Sequence, residues 1–169
     1  TIAVLNGDEN RQSITIDKMS KYLPLAFVSI EDERFYDHQG VDIKRTLAAT
    51  YTYLKNEGES PFGGSTITQQ LIKNLTQEKE DTWQRKVREM VRAYYVEQEM
   101  SKDEILELYL NLIFLGDTVY GVEQGSNYYF NKPAKDLSLA ECAFLAGINH
   151  SPNSYDPFVD DNKEVLKSI

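Results

Sequence analysis

Two glutamates stand in settings that suit opposite kinds of chemistry. Glu31 opens the stretch "EDERFYDHQG" and is followed by Asp32 and Glu33, so neighbouring negative charge would disfavour its ionisation and raise its pKa toward that of a general base. Glu89, in "WQRKVREMVR", has Arg85 four residues before it and Arg92 three after, which on a helix puts both cations on its own face. Such a carboxylate stays ionised, and it suits electrostatic or positioning work better than proton donation. A plainer reading stands beside each. Glu31 could mark a solvated acidic helix end, and Glu89 an exposed ion-pair ladder worth about 0.2–0.5 kcal/mol per pair. Spacing alone leaves these alternatives open.

A third stretch, "GGSTITQQLIKN", carries donors. Gly63 and Gly64 permit close backbone approach, while Ser65 and the helix N-terminus after it offer hydroxyl and amide donors to an anion. Gln69 and Lys73, then Gln70 and Asn74, fall at i, i+4 and make a polar face with one cation. A glycine loop with a capped helix would explain the Gly and Thr, but not two adjacent glutamines with Lys73 and Asn74. It is not a nucleotide-binding phosphate loop, because the glycine spacing and the terminal Lys-Ser/Thr pair are missing. His38 has no second histidine or cysteine at a ligand spacing and His150 is remote, so no zinc site and no other protein-built metal site is expected.

The elements that must hold these residues read as mainly helical. In "LPLAFVSIEDERFY", Pro24 suits a first helical turn, with Leu25, Val28 and Asp32 following at helical spacing, so Glu31 falls at a helix end. "VDIKRTLAATYTYLKN" sets Ile43, Leu47, Tyr51 and Leu54 on one face, and "NEGESPFGG" breaks the pattern as a loop. Capping boxes at Thr66/Gln69, Ser101/Glu104 and Ser138/Glu141 mark three helix starts. Gly147 sits where a helix C-terminal cap is expected, and "QSITI" is the one candidate short strand. Trp83, at helical spacing with Val87, Met90 and Tyr94, predicts a core stripe; Tyr109 and Asn111 lie in an apolar helix, where a tyrosine is a core residue with its hydroxyl satisfied.

Bulk properties bound the function. A chain of 169 residues makes one domain, or two lobes sharing a core. Its single cysteine, Cys142, excludes an internal disulfide and reads as a small buried apolar group. A formal net charge of −9 argues against nucleic-acid binding, which needs a broad cationic surface. No run of eighteen apolar residues and no signal-peptide pattern appears. The sequence opens mid-pattern and stops at "NKEVLKSI" inside an apparent helix, the expectation being one domain over 1–169 excised from a longer protein.

"EDERFYDHQGVD", "GGSTITQQLIKN", "RKVRE", "SKDEILELYLN" and "YGVEQGSNYYFNKPAKDLSLAECAFLAGINHSPNSYDP" occur in this order, between about Tyr22 and Pro157. They resemble the five signature blocks of glycosyltransferase family 51, the peptidoglycan glycosyltransferase domain of class A penicillin-binding proteins and monofunctional transglycosylases. The resemblance implies an all-α, lysozyme-like fold, with a cleft between a larger globular lobe and a smaller membrane-facing one. It implies polymerisation of lipid II at the outer face of the bacterial membrane: the growing glycan's reducing end joins the 4-hydroxyl of an incoming GlcNAc, undecaprenyl diphosphate leaves, and configuration inverts.

By the same resemblance Glu31 is the base on the acceptor hydroxyl and Glu89 the second glutamate, near the donor diphosphate. Lys73, Arg85, Ser65, Gln69 and Gln70 supply the cations and donors that a leaving diphosphate needs. Phe35 and Tyr109 occupy further cleft positions, with Asn74 and Asn111 as weaker candidates. His38, Gly40 and Asp42 belong to the motif in supporting roles. Implied partners are lipid II, the growing glycan strand, a membrane surface and moenomycin-type inhibitors; Mg or Mn at the diphosphate is the only cofactor implied. An N-terminal membrane anchor, and in bifunctional relatives a transpeptidase domain, belong to the implied whole.

One stretch departs from the family's common "YLNQIYFGNGAYGV". "YLNLIFLGDTVYGV" has Leu112 for a frequent Gln and Asp117-Thr118 for Asn-Gly, and "MVRAYYVEQE" is richer in Tyr than usual. Two other classes fit a lysozyme-like fold with two glutamates: a glycan-cleaving enzyme, which needs a carboxylic acid on the leaving oxygen, and a lipid-linked precursor binder without turnover. Glu89 beside two arginines is a poor acid, which favours polymerisation.

Overall fold

The computed structural model describes residues 12–55, 64–78, 80, 82–155 and 157–158. Gly63, most of the "NEGESPFGG" loop, the Leu54 side chain and "NKEVLKSI" lie outside the described residues. The chain is mainly helical: α1 (Tyr22–Glu31), α2 (Ile43–Lys55), α3 (Ile67–Thr76), α4 (Trp83–Glu99), α5 (Lys102–Leu112), α6 (Val122–Phe130), α7 (Leu139–His150) and α8 (Pro152–Tyr155), with 3-10 turns at Ile16–Lys18 and Ala134–Asp136. All three capping boxes form: in each the hydroxyl takes the amide three residues on, and the Gln or Glu side chain returns to the cap N–H.

The chain divides into two compact units, one of residues 27–109 and one of residues 1–26 with 110–169. In the first, Phe27, Phe35, Ile67, Leu71, Ile105, Leu106 and Tyr109 are fully buried, and the rings of Phe27 and Tyr109 meet edge to face at 6.3 Å. In the second, Leu110, Leu115, Val122, Leu145 and Cys142 are fully buried, Cys142 as expected. Its N-terminal segment is stitched down by Ser20, whose N–H donates to Ala134 O and whose hydroxyl donates to Leu137 O. Gly121, at φ +80°, begins α6 so close to α5 that a Cβ there would lie 2.7 Å from the Asn111 carbonyl oxygen. The turn that departs from the family pattern closes on its own backbone, Leu115 N–H to Val119 O and Val119 N–H to Gly116 O. Asp117 there adopts φ +47°, a conformation that Asp and Asn tolerate better than most residues.

Several expectations are corrected. "QSITI" is not a strand: Ile14 exchanges both backbone hydrogen bonds with the Asn111 side-chain amide, which replaces the rung a neighbouring strand would supply, and a 3-10 turn follows. Asn111 is thereby a structural residue. Gly147 is interior to α7, whose cap is Ser151, its N–H bonding Ile148 O. On α1 the buried residues are Leu23, Phe27 and Val28, while Leu25 is exposed. Ile43, Leu47 and Tyr51 do share a face of α2, but each is about two-thirds exposed, at 68%, 64% and 67%.

The Trp83 stripe is likewise outward. Trp83 is 73% exposed, Val87 and Tyr94 are exposed, and the buried residues of α4 are Glu89 and Ala93. The helix is oriented by its packing on α3, and the face it buries carries a carboxylate whose hydrogen bonds are all met within the unit. Periodicity of apolar residues therefore marks a true face but the wrong one.

Candidate active site

Glu31 is the last residue of α1, and the next residue, Asp32, is fully buried. Asp32 Oδ2 accepts the N–H of Ile67, at the start of α3, at 3.0 Å, and the His38 Nε2–H at 2.9 Å. The pair of acids that opens the motif is thus divided. Asp32 pins α3 to the end of α1, and Glu31 turns the other way, onto a cavity. The His38 side chain that meets Asp32 is only 8% exposed.

Gly40 closes the motif at φ +82°, and its carbonyl accepts the Thr66 hydroxyl at 2.6 Å. A Cβ at Gly40 would lie 2.5 Å from the backbone C and O of Ala93, so the missing side chain is what lets α4 approach. Asp42 begins α2. Burial would push its carboxyl up, but the Arg45 N–H and the Arg34 guanidinium outweigh burial and hold it below the usual carboxylate range.

The two adjacent glutamines hold the two glutamates. Gln70 Nε2 donates to Glu31 Oε2 at 2.8 Å, and Gln70 Oε1 accepts the hydroxyl of buried Tyr109 at 3.2 Å, which orients the amide. Gln69 Nε2 donates to Glu89 Oε1 at 3.1 Å, and its Oε1 is fixed by the capping-box bond from the Thr66 N–H. Successive residues on a helix point about 100° apart, so one turn of α3 addresses two carboxylates at once.

Glu89 is only 4% exposed. Its Oε2 accepts from Arg85 at 2.7 Å, and its Oε1 accepts from Lys86, whose Nζ also donates to Ser65 Oγ at 2.7 Å. Arg92, expected on Glu89, instead pairs with Glu78 at 2.6 Å. Lys86 takes its place from three residues before, at an i, i+3 spacing that also sets two side chains on one helix face. A carboxylate this buried needs such partners, and removing one of them costs about 3–5 kcal/mol.

Glu31, Glu89, Ser65, Gln69, Gln70, Lys73 and Asn74 line one cavity of about 260 Å³ together with Arg45, which the motifs did not single out. All lie in the unit of residues 27–109. Arg85 acts on that cavity through Glu89. Phe35 and Tyr109, expected at the substrate, are fully buried: Phe35 packs edge-on against the His38 ring and beneath the Lys102 ammonium, and the Tyr109 hydroxyl donates to Gln70.

Among the described residues no group of three or more His, Cys, Asp or Glu could hold a metal ion. Both oxygens of Glu89 are occupied by cationic or amide donors, so these residues do not form a divalent site of their own.

The sequence of the chain matches the transglycosylase family over residues 1–168. The chain belongs to that family. It is 49% identical to penicillin-binding protein 1A of Clostridium acetobutylicum over 89% of this chain and 20% of that protein. It is 43% identical to penicillin-binding protein 1F of Bacillus subtilis over 97% of this chain and 24% of that protein. Penicillin-binding protein 2D of the same organism is 45% identical over 94% of the chain and 23% of its own length. The transglycosylase domain thus spans about a fifth to a quarter of the curated relatives it matches. Its mainly helical architecture accords with the family that its motifs resemble.

Proposed function

We propose that this domain polymerises lipid II into peptidoglycan glycan strands by inverting glycosyl transfer. The observation that carries the reading is that two carboxylates line one cavity, Glu31 receiving the Gln70 amide and Glu89 receiving Arg85, Lys86 and the Gln69 amide. In this mechanism Glu31 takes the proton from the GlcNAc 4-hydroxyl as that oxygen attacks the anomeric carbon at the reducing end of the growing glycan. The anomeric carbon's bond to the diphosphate breaks with inversion, and the pair of electrons leaves with undecaprenyl diphosphate. Lys73, Ser65 and the cationic cluster around Glu89 stabilise the charge that develops there.

The substrate is lipid-linked, and the unit that holds the site exposes Ile43, Leu47 and Tyr51 on α2 and Trp83, Val87 and Val91 on α4. Exposed apolar faces of this kind suit a membrane surface, and the extracytoplasmic face of the bacterial membrane is the proposed place of action. Among the described residues no helix is long and apolar enough to cross a membrane.

The test is incubation of the chain with labelled lipid II in detergent, with products resolved by size and Glu31→Gln run alongside. Polymer from the unsubstituted chain, with a loss of about 10²–10⁴-fold in the variant at an unchanged melting profile, is the expected result. Retained turnover in Glu31→Gln would remove Glu31 from the base role. Lys73→Ala is expected to weaken moenomycin binding more than it lowers stability.

A further inference from the structure

Arg45 lies outside the residues that the motifs marked, yet it stands on the wall of the Glu31 cavity. Its backbone N–H donates to Asp42 Oδ1 at 2.9 Å, and the same oxygen takes Arg34 Nη2 at 2.6 Å, so the first turn of α2 is anchored before its side chain reaches out. From there Arg45 Nη1 donates to the main-chain carbonyl of Glu31. That carbonyl is one of the four that a helix leaves without an intrahelical partner at its C-terminus, and a cation there is favoured by the helix dipole. The contact is made to the backbone of Glu31, while Gln70 holds the carboxylate from α3.

Two tethers from two different helices therefore meet on one residue. Gln70 holds the carboxylate, but a carboxylate held from a neighbouring helix can still shift when its own helix end frays. Clamping the carbonyl removes that freedom. Arg45 also forms part of the wall of a second cavity, of about 390 Å³, bordered by Ser29, Glu33 and Lys44.

We propose that Arg45 is a positioning residue for glycosyl transfer, holding the main chain of Glu31 so that its carboxylate meets the acceptor hydroxyl in one fixed geometry. This rests on Glu31 being the base. A displacement of about 1 Å at a reacting group costs about 10²-fold in rate, and a residue that positions without binding lowers kcat and leaves KM in place.

The experiment measures steady-state lipid II polymerisation by the unsubstituted chain, Glu31→Gln, Arg45→Ala and Arg45→Lys, with melting profiles and moenomycin affinity for each. The expected result is a fall in kcat of about 10²-fold for Arg45→Ala, with KM and moenomycin affinity kept, a smaller loss for Arg45→Lys, and partial recovery of Arg45→Ala by added guanidinium ion that does nothing for the unsubstituted chain. Unchanged kcat in both variants overturns the proposal. So does a loss confined to KM and moenomycin affinity, which would make Arg45 a ligand cation. If Arg45→Ala does not fold, the Arg45→Lys kcat decides. Absence of polymer from the unsubstituted chain, or full activity in Glu31→Gln, would instead refute the functional reading beneath it.

Discussion

Replacing Gly40 with alanine tests whether the stretch that follows Glu31 and α4 depend on a close approach of backbones. Two costs add. Alanine at φ +82° pays about 1–2 kcal/mol for the left-handed conformation. Its Cβ would lie 2.5 Å from Ala93 C and O and 2.7 Å from Tyr94 N. All three are backbone atoms that cannot swing aside, so overpacking adds about 1–3 kcal/mol. The sum is about 2–5 kcal/mol, which at an m-value of about 2 kcal/mol/M moves the urea midpoint down by about 1–2.5 M.

Gly147→Ala is the matched control. Nothing lies within 4 Å of a Cβ there and the residue is interior to α7, so alanine is expected to stabilise by about 0.4–1 kcal/mol. Far-UV circular dichroism in urea gives both midpoints in one series. Because α4 carries Glu89, the Gly40→Ala protein that remains folded should also turn over lipid II more slowly. A Gly40→Ala midpoint equal to that of the unsubstituted chain, with an unchanged m-value, would refute the close-approach reasoning.

Other substitutions probe separate contacts. Trp83→Ser should shift stability by no more than about 0.5 kcal/mol, as for an exposed residue, whereas a loss of about 3–5 kcal/mol in thermal or urea unfolding would return Trp83 to the core. Asp32→Asn removes the charge that receives both the Ile67 amide and His38, and an unfolding loss of about 1.5–3 kcal/mol with slower polymerisation is expected; an unchanged melt would show that Asp32 does not pin α3. Tyr109→Phe should cost only about 1 kcal/mol in unfolding yet reduce turnover, since the lost hydroxyl orients Gln70. Glu141 is held at about 2, first by the hydrogen bond from Lys132 and then by the Ser138 cap, against an ordinary value of 4.5. Because the folded value is the lower one, its stabilisation is present above pH 4.5 and fades as the pH falls toward 2. Melts of Glu141→Gln across that window should show a weaker acid limb than the unsubstituted chain.

The helix starts were legible because they rest on local chemistry. A capping box needs only a hydroxyl and a Gln or Glu three residues later, and all three form as expected. Most of the cavity-lining residues were legible for a related reason: Gln69, Gln70, Lys73 and Asn74 share one short helix, where position along the chain nearly determines position in space. Apolar periodicity succeeded less well. It placed Ile43, Leu47 and Tyr51 on one face, and Trp83 with Val87 and Tyr94 on another, but a helix does not announce which of its faces meets the rest of the protein.

What the amino-acid order determined by itself is therefore the helical elements, the family and the two glutamates. Tertiary structure alone decided who holds them. Gln69 lies twenty residues from Glu89 and Gln70 lies thirty-nine from Glu31, so no spacing rule pairs them. The choice of Lys86 over Arg92 follows from which side of α4 is buried. Arg45 meets the Glu31 carbonyl from fourteen residues away while its own N–H is held by Asp42. Local hydrogen bonds compete over a few residues and can be read in sequence, whereas a buried charge accepts whichever donors the packed helices bring within reach.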